Sequence, residues 1–185
     1  MQNNILEYLE KTVLRVPDKC AFSNGKDSLT FKDIYDAGRS IGSFMAARGI
    51  YKQPVVVFMN KHPRTVAAFL GVVYGGDFYV PIDEEMPMFR IELIFNNLNP
   101  GAVICDESTR NVMQKLAYSG PIYMYDDLIK TPADVRALDS IRENQIDTDP
   151  VYIVFTSGST GIPKGVVACH RSVLDYIEAF SDVLK

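Results

Sequence analysis

Short runs of apolar, often β-branched residues alternate along the chain with longer segments in which apolar residues recur every three or four positions. The short runs are typical of strands covered on both faces, and the longer segments are typical of helices with one buried face. The predicted strands cover residues 55–59, 78–82, 102–105, 121–125 and 151–155, and the predicted helices cover residues 5–14, 31–48, 63–74, 87–98, 109–119 and a last segment from about residue 172.

The order of these elements predicts the fold class. Strands that alternate with helices of this length imply right-handed βαβ units, and therefore an α/β fold with a mostly parallel sheet and helices on both faces. Ligands of such sheets bind beyond the carboxyl ends of the strands. A small hairpin with its turn at Asn24-Gly25 precedes the sheet. Residues 130–150 are polar and weakly periodic, so we expect a surface connection with one helical turn near residues 134–138.

Local signals mark several helix ends. Thr30 with Asp33 three residues later forms a capping box, and Ser108 is the predicted cap of the helix that Gly120 closes. The last helix, from about Ser172, has an apolar stripe that comprises Val173, Ile177, Phe180 and Leu184. An apolar stripe of this kind is usually buried. If no other part of the chain packs on it, we expect self-association through this helix or through a sheet edge.

Composition narrows the class of protein. The 185 residues suffice for one domain, 47% are apolar and 23% charged, and the net charge is −4, which argues against a nucleic-acid partner. The N-terminus lacks a basic segment followed by an apolar one, and no apolar run is long enough for a membrane span. Three dispersed cysteines favour a reduced, cytoplasmic location, with Cys105 a buried apolar residue. With two histidines and no paired cysteines, we expect no zinc site.

Residues 156–165, TSGSTGIPKG, follow the last predicted strand directly. Glycine lets backbone N–H groups approach an anion closely, hydroxyl side chains add donors, and a lysine adds a charge suited to phosphate. The stretch therefore predicts a polyphosphate-binding loop. Its candidate ligand-binding residues are Thr156, Ser157, Gly158, Ser159, Thr160, Gly161 and Lys164.

Two other interpretations of residues 156–165 compete with a polyphosphate-binding loop of this kind. Glycine- and hydroxyl-rich clusters are often flexible surface hairpins, although the preceding apolar strand and the stiff Pro163 weigh against that interpretation. The P-loop pattern G-x-x-x-x-G-K-[ST] fails, because Ile162-Pro163 separate Gly161 from Lys164 and Gly165 follows the lysine. Two roles are open for Lys164. It contacts phosphate and is then also the candidate catalytic residue, or it lies on the surface and only orders the loop.

Three further groups of residues could have either a functional role or a purely structural one. The pair His170-Arg171 could touch substrate, but a solvent-exposed helix start is favoured. The run Asp83-Glu84-Glu85 could bind a metal, but an acidic turn before Pro87 is favoured. Aromatic residues beside a strand could form a stacking platform, but core packing is favoured for Tyr74, Phe78 and Tyr79.

The segment YIVFTSGSTGIPKGV, residues 152–166, resembles the phosphate-loop signature of adenylate-forming enzymes over nearly its whole length. This superfamily includes acyl-CoA synthetases, luciferases and the adenylation domains of nonribosomal peptide synthetases. Two weaker matches, LTFKDI at residues 29–34 and GVVYGGDFYVPID at residues 71–83, lie in the expected order. Gly75 stands where the family has alanine, and the YVPID ending is similar to amino-acid adenylation domains and D-alanine–carrier-protein ligases.

The resemblance implies a two-step ligase reaction for the parent enzyme. A carboxylic acid, here an amino acid, attacks the α-phosphate of ATP to give an acyl-adenylate and pyrophosphate, with Mg²⁺ assisting, and a thiol of CoA or of a carrier-protein phosphopantetheine then takes the acyl group. The loop residues from Thr156 to Gly161 would hold the β- and γ-phosphates, with Lys164 near the departing pyrophosphate.

The resemblance also implies that residues 1–185 are the N-terminal part of such an enzyme. The adenine and ribose contacts, the acid pocket, the Mg²⁺ ligands and a C-terminal domain would lie downstream, so we expect this chain to be inactive alone. The alternatives are a fragment of an acyl-CoA synthetase and a standalone nucleotide- or phosphate-binding module without catalysis.

Overall fold

The computed structural model describes residues 2–156 and 162–183. Within these ranges the chain forms eight helices and eight strands. The helices are α1 (Leu6–Arg15), α2 (Phe31–Ala47), α3 (Pro63–Tyr74), α4 (Met88–Leu98), α5 (Glu107–Met113), α6 (Tyr125–Leu128), α7 (Val135–Glu143) and α8 (His170–Val183). The strands are β1 (Cys20–Ser23), β2 (Ser28–Thr30), β3 (Pro54–Phe58), β4 (Phe78–Pro81), β5 (Ala102–Cys105), β6 (Ile122–Met124), β7 (Pro150–Thr156) and β8 (Lys164–Cys169).

Six strands form one sheet in the order β6-β5-β3-β4-β7-β8. The strands from β6 to β7 in this order are parallel neighbours, and β8 runs antiparallel to β7 at the edge. This arrangement confirms the predicted mostly parallel α/β fold. The predicted hairpin is also present as the separate antiparallel pair β1–β2, whose turn includes Gly25 at a φ of +89°.

Both faces of the sheet are buried. Alternate residues of the central strand β3 enter two different apolar cores, with Val55 and Val57 in one and Val56 and Phe58 in the other. The first core is completed by α1, α2, α3, α6 and α7, and the second by α4 and α5. This two-sided burial explains why the strands are continuous apolar runs in the sequence instead of alternating ones.

The two helix layers follow from the handedness of the connections. The helices that lead toward the β8 edge, α3 after β3 and α6–α7 after β6, lie in the first layer, whereas α4 and α5, which lead toward β6, lie in the second. Right-handed crossovers in opposite directions require opposite faces of the sheet. The chain therefore leaves the neighbouring strands β3 and β4 toward different layers.

Several local predictions are confirmed, and others are corrected. Thr30 and Asp33 form the predicted capping box, but α5 is capped by Asp106, two residues before the predicted Ser108, because Oδ1 of Asp106 accepts the N–H of Thr109. The predicted single turn near 134–138 is a nine-residue helix, α7, which buries Leu138. The strand β8 is absent from the prediction, and α8 begins at His170, two residues before the predicted start.

The carboxyl group of Asp77 is buried, and only one of its two oxygens has a hydrogen-bond partner among the described residues. Asp77, which precedes β4, is 1% exposed, and its Oδ1 accepts a hydrogen bond of 2.9 Å from the N–H of Gln53. Its Oδ2 is buried without a hydrogen-bond partner among the described residues. Burial raises the pKa of Asp77 to about 7, because the charged form is poorly solvated there.

This environment predicts a pH-dependent stability. The folded-state pKa of Asp77 lies above the unfolded value of about 3.9, so its contribution lowers the free energy of unfolding as pH rises from about 4 to about 7, by on the order of 3 kcal/mol. The variant Asp77→Asn should lack this decline, and urea unfolding at several pH values measures it. The matched control Asp139→Asn, at an exposed carboxyl group on α7, should keep the wild-type profile. Parallel profiles for wild type and Asp77→Asn would contradict the assignment.

Candidate phosphate-binding site

The predicted loop leaves the sheet at the carboxyl end of a parallel strand. β7 pairs in parallel with β4, with Tyr79 opposite Tyr152, and its last residue is Thr156. β8 returns beside β7 from Lys164, so the loop is the connection of a β-hairpin. Five of the predicted site residues, Ser157, Gly158, Ser159, Thr160 and Gly161, lie outside the described residues. The structure therefore places the two ends of the loop at the sheet edge where ligands of parallel sheets bind.

The two ends of the loop are held against each other. Thr156 is paired with Lys164 in the β7–β8 ladder, and the Thr156 hydroxyl Oγ1 donates to the Lys164 carbonyl at 3.4 Å. Both residues are exposed, and the Lys164 ammonium makes no ion pair with any residue that the structure describes. A hydroxyl group and a cation are thus brought together at the mouth of the loop.

Residues outside the predicted set anchor the returning strand. Pro163 is buried, and its carbonyl lies 3.5 Å from the Nδ2 amide of Asn97 on α4, which donates to it. A Cβ atom at Gly165 would lie 2.8 Å from Cγ2 of Ile153, so only glycine fits against β7 without a shift. The loop does connect the two strands of a hairpin, as the flexible-hairpin interpretation predicts. The ends of this hairpin, however, are fixed by packing.

The predicted solvent-exposed helix start at residues 170–171 is wrong for one of its two members. His170 is completely buried, and its Nδ1 accepts a hydrogen bond of 3.2 Å from the N–H of Ile5. Arg171 is exposed and forms a bidentate ion pair with Asp147. Since β8 spans six residues, His170 lies roughly 17–20 Å along the strand from Lys164. His170 therefore ties α8 to the start of the chain, and Arg171 ties it to the segment before β7. Neither side chain contacts Thr156 or Lys164 through a hydrogen bond.

The acidic turn after β4 has a structural partner. Lys61 Nζ lies 3.2 Å from Asp83 and 3.5 Å from Glu85, and a backbone hydrogen bond together with the contact to Lys61 lowers the pKa of Asp83. No group of three potential metal ligands occurs among residues 2–156 and 162–183. The ion pairs with Lys61 make this run of acids a charged turn after the strand.

Two of the three aromatic residues near β4, Tyr74 and Tyr79, pack in the first core, whereas Phe78 is half-buried and belongs to neither core. Tyr74 is 5% exposed, and its hydroxyl donates to Glu10 Oε1 at 3.1 Å, while burial raises its pKa. Tyr79 stacks on Phe69, with ring centroids 4.4 Å apart, and contacts Tyr152 at 5.6 Å. These rings hold β4 and β7 together, as core packing of aromatic residues predicts.

The stripe on the last helix is only partly covered. Leu174, which is not part of the predicted stripe, is the buried apolar residue among the described side chains of α8, at 4% exposure. Val173 and Ile177 are half-buried, Phe180 is exposed, and Leu184 lies outside the described residues. The outer edge of β8 pairs with no strand in the described ranges, so the predicted self-association through this region stays a prediction.

The fold and the site define a class: an α/β protein whose parallel sheet presents a glycine- and hydroxyl-rich hairpin loop at its carboxyl edge. Residues 9–184 match the family described as AMP-binding enzyme. The chain belongs to this family, as the loop motif and the order of the two weaker motifs indicate.

Curated relatives of known name match most of the chain. It is 30% identical over 183 residues to the D-alanine--D-alanyl carrier protein ligase of Listeria monocytogenes, covering 95% of this chain and 35% of the relative. It is 26% identical over 180 residues to tyrocidine synthase 1 of Brevibacillus parabrevis, covering 97% of this chain and 16% of the relative. The chain thus spans about a third or less of the length of these relatives.

Solved structures share the fold at low identity. The crystal structure of VinN matches all of this chain and 48% of its own length with a TM-score of 0.80 at 20% identity. The nonribosomal peptide synthetase FmoA3, bound to α-methyl-L-serine-AMP, matches 96% of this chain and 19% of its own length with a TM-score of 0.80 at 24% identity. In the parts of the chain described here, no helix is long and apolar enough to cross a membrane.

The buried histidine predicts a second pH effect. Burial, with the nearby Arg142 guanidinium adding to it, lowers the pKa of His170 to about 4, and its Nε2 has no hydrogen-bond partner among the described residues. The folded-state pKa lies below the unfolded value of about 6.5, so stability should fall by roughly 3 kcal/mol as pH drops from 6.5 to 4. The variant His170→Asn should lose this acid sensitivity in urea unfolding, whereas His62→Asn should retain it. An acid-sensitive His170→Asn protein would refute the attribution.

Proposed function

We propose that residues 1–185 form the N-terminal, phosphate-binding part of an ATP-dependent ligase that activates a carboxylic acid as its acyl-adenylate and passes it to a thiol. The observation that carries this proposal is the loop between β7 and β8, whose ends Thr156 and Lys164 are paired at the carboxyl edge of the sheet. Membership of the AMP-binding enzyme family supports the same reaction.

The acid is proposed to be an amino acid, and the acceptor a carrier-protein phosphopantetheine. The support comes from similar proteins. One is by name a D-alanine--D-alanyl carrier protein ligase, and FmoA3 is a nonribosomal peptide synthetase whose structure holds α-methyl-L-serine-AMP. The YVPID sequence that ends in Asp83 adds to this support. Such an enzyme would work in the cytoplasm, where ATP and reduced thiols are available.

The loop residues have separate proposed roles. Backbone N–H groups of Gly158 and Gly161 and the hydroxyl groups of Thr156, Ser157, Ser159 and Thr160 would hold the β- and γ-phosphates. Lys164 would neutralise charge on the departing pyrophosphate while the carboxylate attacks the α-phosphate. The contribution of this part of the enzyme is therefore positioning and charge neutralisation of the leaving group.

Magnesium is expected to accompany ATP, where it would neutralise phosphate charge. The residues that the structure describes offer no group of three ligands for the ion. Its protein ligands would be residues other than those described, and the same holds for the contacts to adenine, ribose and the acid.

The proposal predicts weak, phosphate-dependent nucleotide binding by this chain. ATP and tripolyphosphate should bind at one shared site, and adenosine should bind much more weakly, because the loop provides only the phosphate half of a nucleotide site. Lys164→Ala should weaken binding of ATP by on the order of 10- to 100-fold, as expected for loss of a charge-assisted contact of about 1.5–3 kcal/mol. Isothermal titration calorimetry measures all three ligands.

The exposed Lys115, on the turn after α5, provides the matched control. Lys115→Ala should bind ATP as the wild type does. Equal affinities for adenosine and ATP, or an unchanged Lys164→Ala variant, would show that the loop does not grip phosphate.

A second measurement addresses the activity. The 185-residue chain should not catalyse ATP–pyrophosphate exchange with any amino acid, because the acid pocket lies outside it in this proposal. Robust exchange, for example with D-alanine, would show that the chain is catalytically complete and would overturn the view that it is a part of the enzyme.

A further inference from the structure

A cavity of about 560 Å³ opens beyond the carboxyl ends of β3 and β4. The segments that follow these two strands form two of its sides, Met59–Pro63 after β3 and Ile82–Met86 after β4. Phe155 of β7 and Phe22 of the β1–β2 hairpin complete the enclosure. Its volume lies in the range of about 300–1,000 Å³ that is usual for small-molecule sites.

The course of the chain explains why the cavity is there. The chain leaves β3 for α3 in one helix layer and β4 for α4 in the other, so the two loops diverge and leave a crevice between them. Open α/β sheets bind ligands in such crevices. The loops after β3 and β5 diverge in the same way, but there Asp106 Oδ2 accepts the N–H of Asn60 at 3.1 Å and bridges the gap. Across the crevice between β3 and β4, Lys61 forms ion pairs with Asp83 and Glu85 at the exposed rim. The space beside Met59 and Ile82 stays open.

The inner wall of the cavity is apolar and rigid. Its lining includes Met59, Val66, Phe69, Ile82, Met86 and Phe155. Phe69 is fixed by stacking on Tyr79 at a centroid distance of 4.4 Å. A rigid apolar wall of this kind favours a ligand with an aromatic or aliphatic body.

The hairpin wall is held in place by a histidine. His62 Nδ1 accepts the N–H of Arg64 at 3.1 Å, and its Nε2 lies 3.2 Å from Asp27 Oδ2. This contact joins the start of α3 to the β1–β2 hairpin. This contact holds the hairpin wall of the cavity beside α3.

The rim carries an excess of negative charge. Lys61 is shared by Asp83 and Glu85, and Asp27 contacts His62. Glu84 lines the cavity and makes no ion pair with any described residue. Two carboxylates, Asp83 and Glu84, and one lysine line the cavity, and Glu85 adds a third carboxylate beside Lys61. The field at the mouth therefore favours a cation.

We propose that this crevice is a binding site for a small amine, a ligand with an aromatic or aliphatic body that enters the apolar cavity and an ammonium group that stays at the acidic rim beside Glu84. The site is distinct from the phosphate loop, although both use β7, and it does not require nucleotide. The inference goes beyond the proposed function and does not depend on it.

A charge-matched pair of probes tests the proposal. 2-Phenylethylamine and 3-phenylpropionate have the same ring and a similar chain but opposite charge. In NMR titrations of the 185-residue chain without nucleotide, the amine should bind with a dissociation constant on the order of 1–10 mM, as its size allows, and at least about fivefold more tightly than the carboxylate. The shifted amide signals should map to the segments after β3 and β4.

Variants locate the binding. Val66→Trp should fill the cavity and weaken binding of the amine at least about fivefold, whereas Val135→Trp, at an exposed position on α7, should not change it. Glu84→Gln removes one exposed charge and should weaken amine binding about two- to fivefold without changing binding of the carboxylate. If Val66→Trp does not fold, Phe22→Ala on the hairpin takes its place with the same expectation.

Three results would overturn the proposal: no binding of the amine at tens of millimolar, equal affinities for the two probes, or shifts that map away from the crevice and persist in the filled variant. None of these measurements involves ATP, so a failure here leaves the phosphate-loop proposal intact, and a loop that binds no phosphate leaves the amine site intact.

Discussion

The parallel pairing of β7 with β4 is the constraint on which the site depends. β7 is reached from β6, at the opposite edge of the sheet, and the pairing places Tyr152 opposite Tyr79. The hydrogen-bonded ladder between the two strands is short. Packing of aromatic rings therefore adds to the attraction between them: Phe69 stacks on Tyr79, and Tyr79 contacts Tyr152. Because β7 is parallel to β4, it carries Thr156 to the ligand-binding edge of the sheet.

The same packing that positions β7 also produces the crevices of that edge. Helices on both faces are needed to cover a sheet that is apolar on both faces, and right-handed connections assign each helix to its layer. Divergence of the loops after neighbouring strands is a consequence. Asp106 bridges one gap, whereas the other is spanned at its rim by Lys61 and Asp83 and keeps a cavity beside Met59 and Ile82. The shape of the edge is therefore set by topology, and side chains decide which gaps stay open.

Much of this could be predicted from the sequence, because it is encoded locally. The apolar runs of β3 and β5, the capping box at Thr30 and Asp33, and the glycine- and hydroxyl-rich loop are signals that need no tertiary information. β8 is not predictable in this way, because its residues, among them Val166 and Val167, are more than half exposed and follow a loop signal, so neither periodicity nor burial marks them. For His170 the polar neighbour Arg171 suggests solvent, whereas Ile5, its hydrogen-bond partner, is far away in sequence.

The cavity beyond β3 and β4 shows a different limit. Its walls come from four separate segments, and no one segment has a motif, so only the assembled fold could reveal it. The proposed phosphate loop could be predicted from ten residues because phosphate is bound largely by backbone groups, and access to the backbone requires glycine. An apolar cavity is lined by the same residue types that build a core, such as Val66 and Phe69, and the sequence cannot distinguish the two uses. Sites built from backbone are therefore found in the sequence, whereas sites built from converging side chains have to be found in the structure.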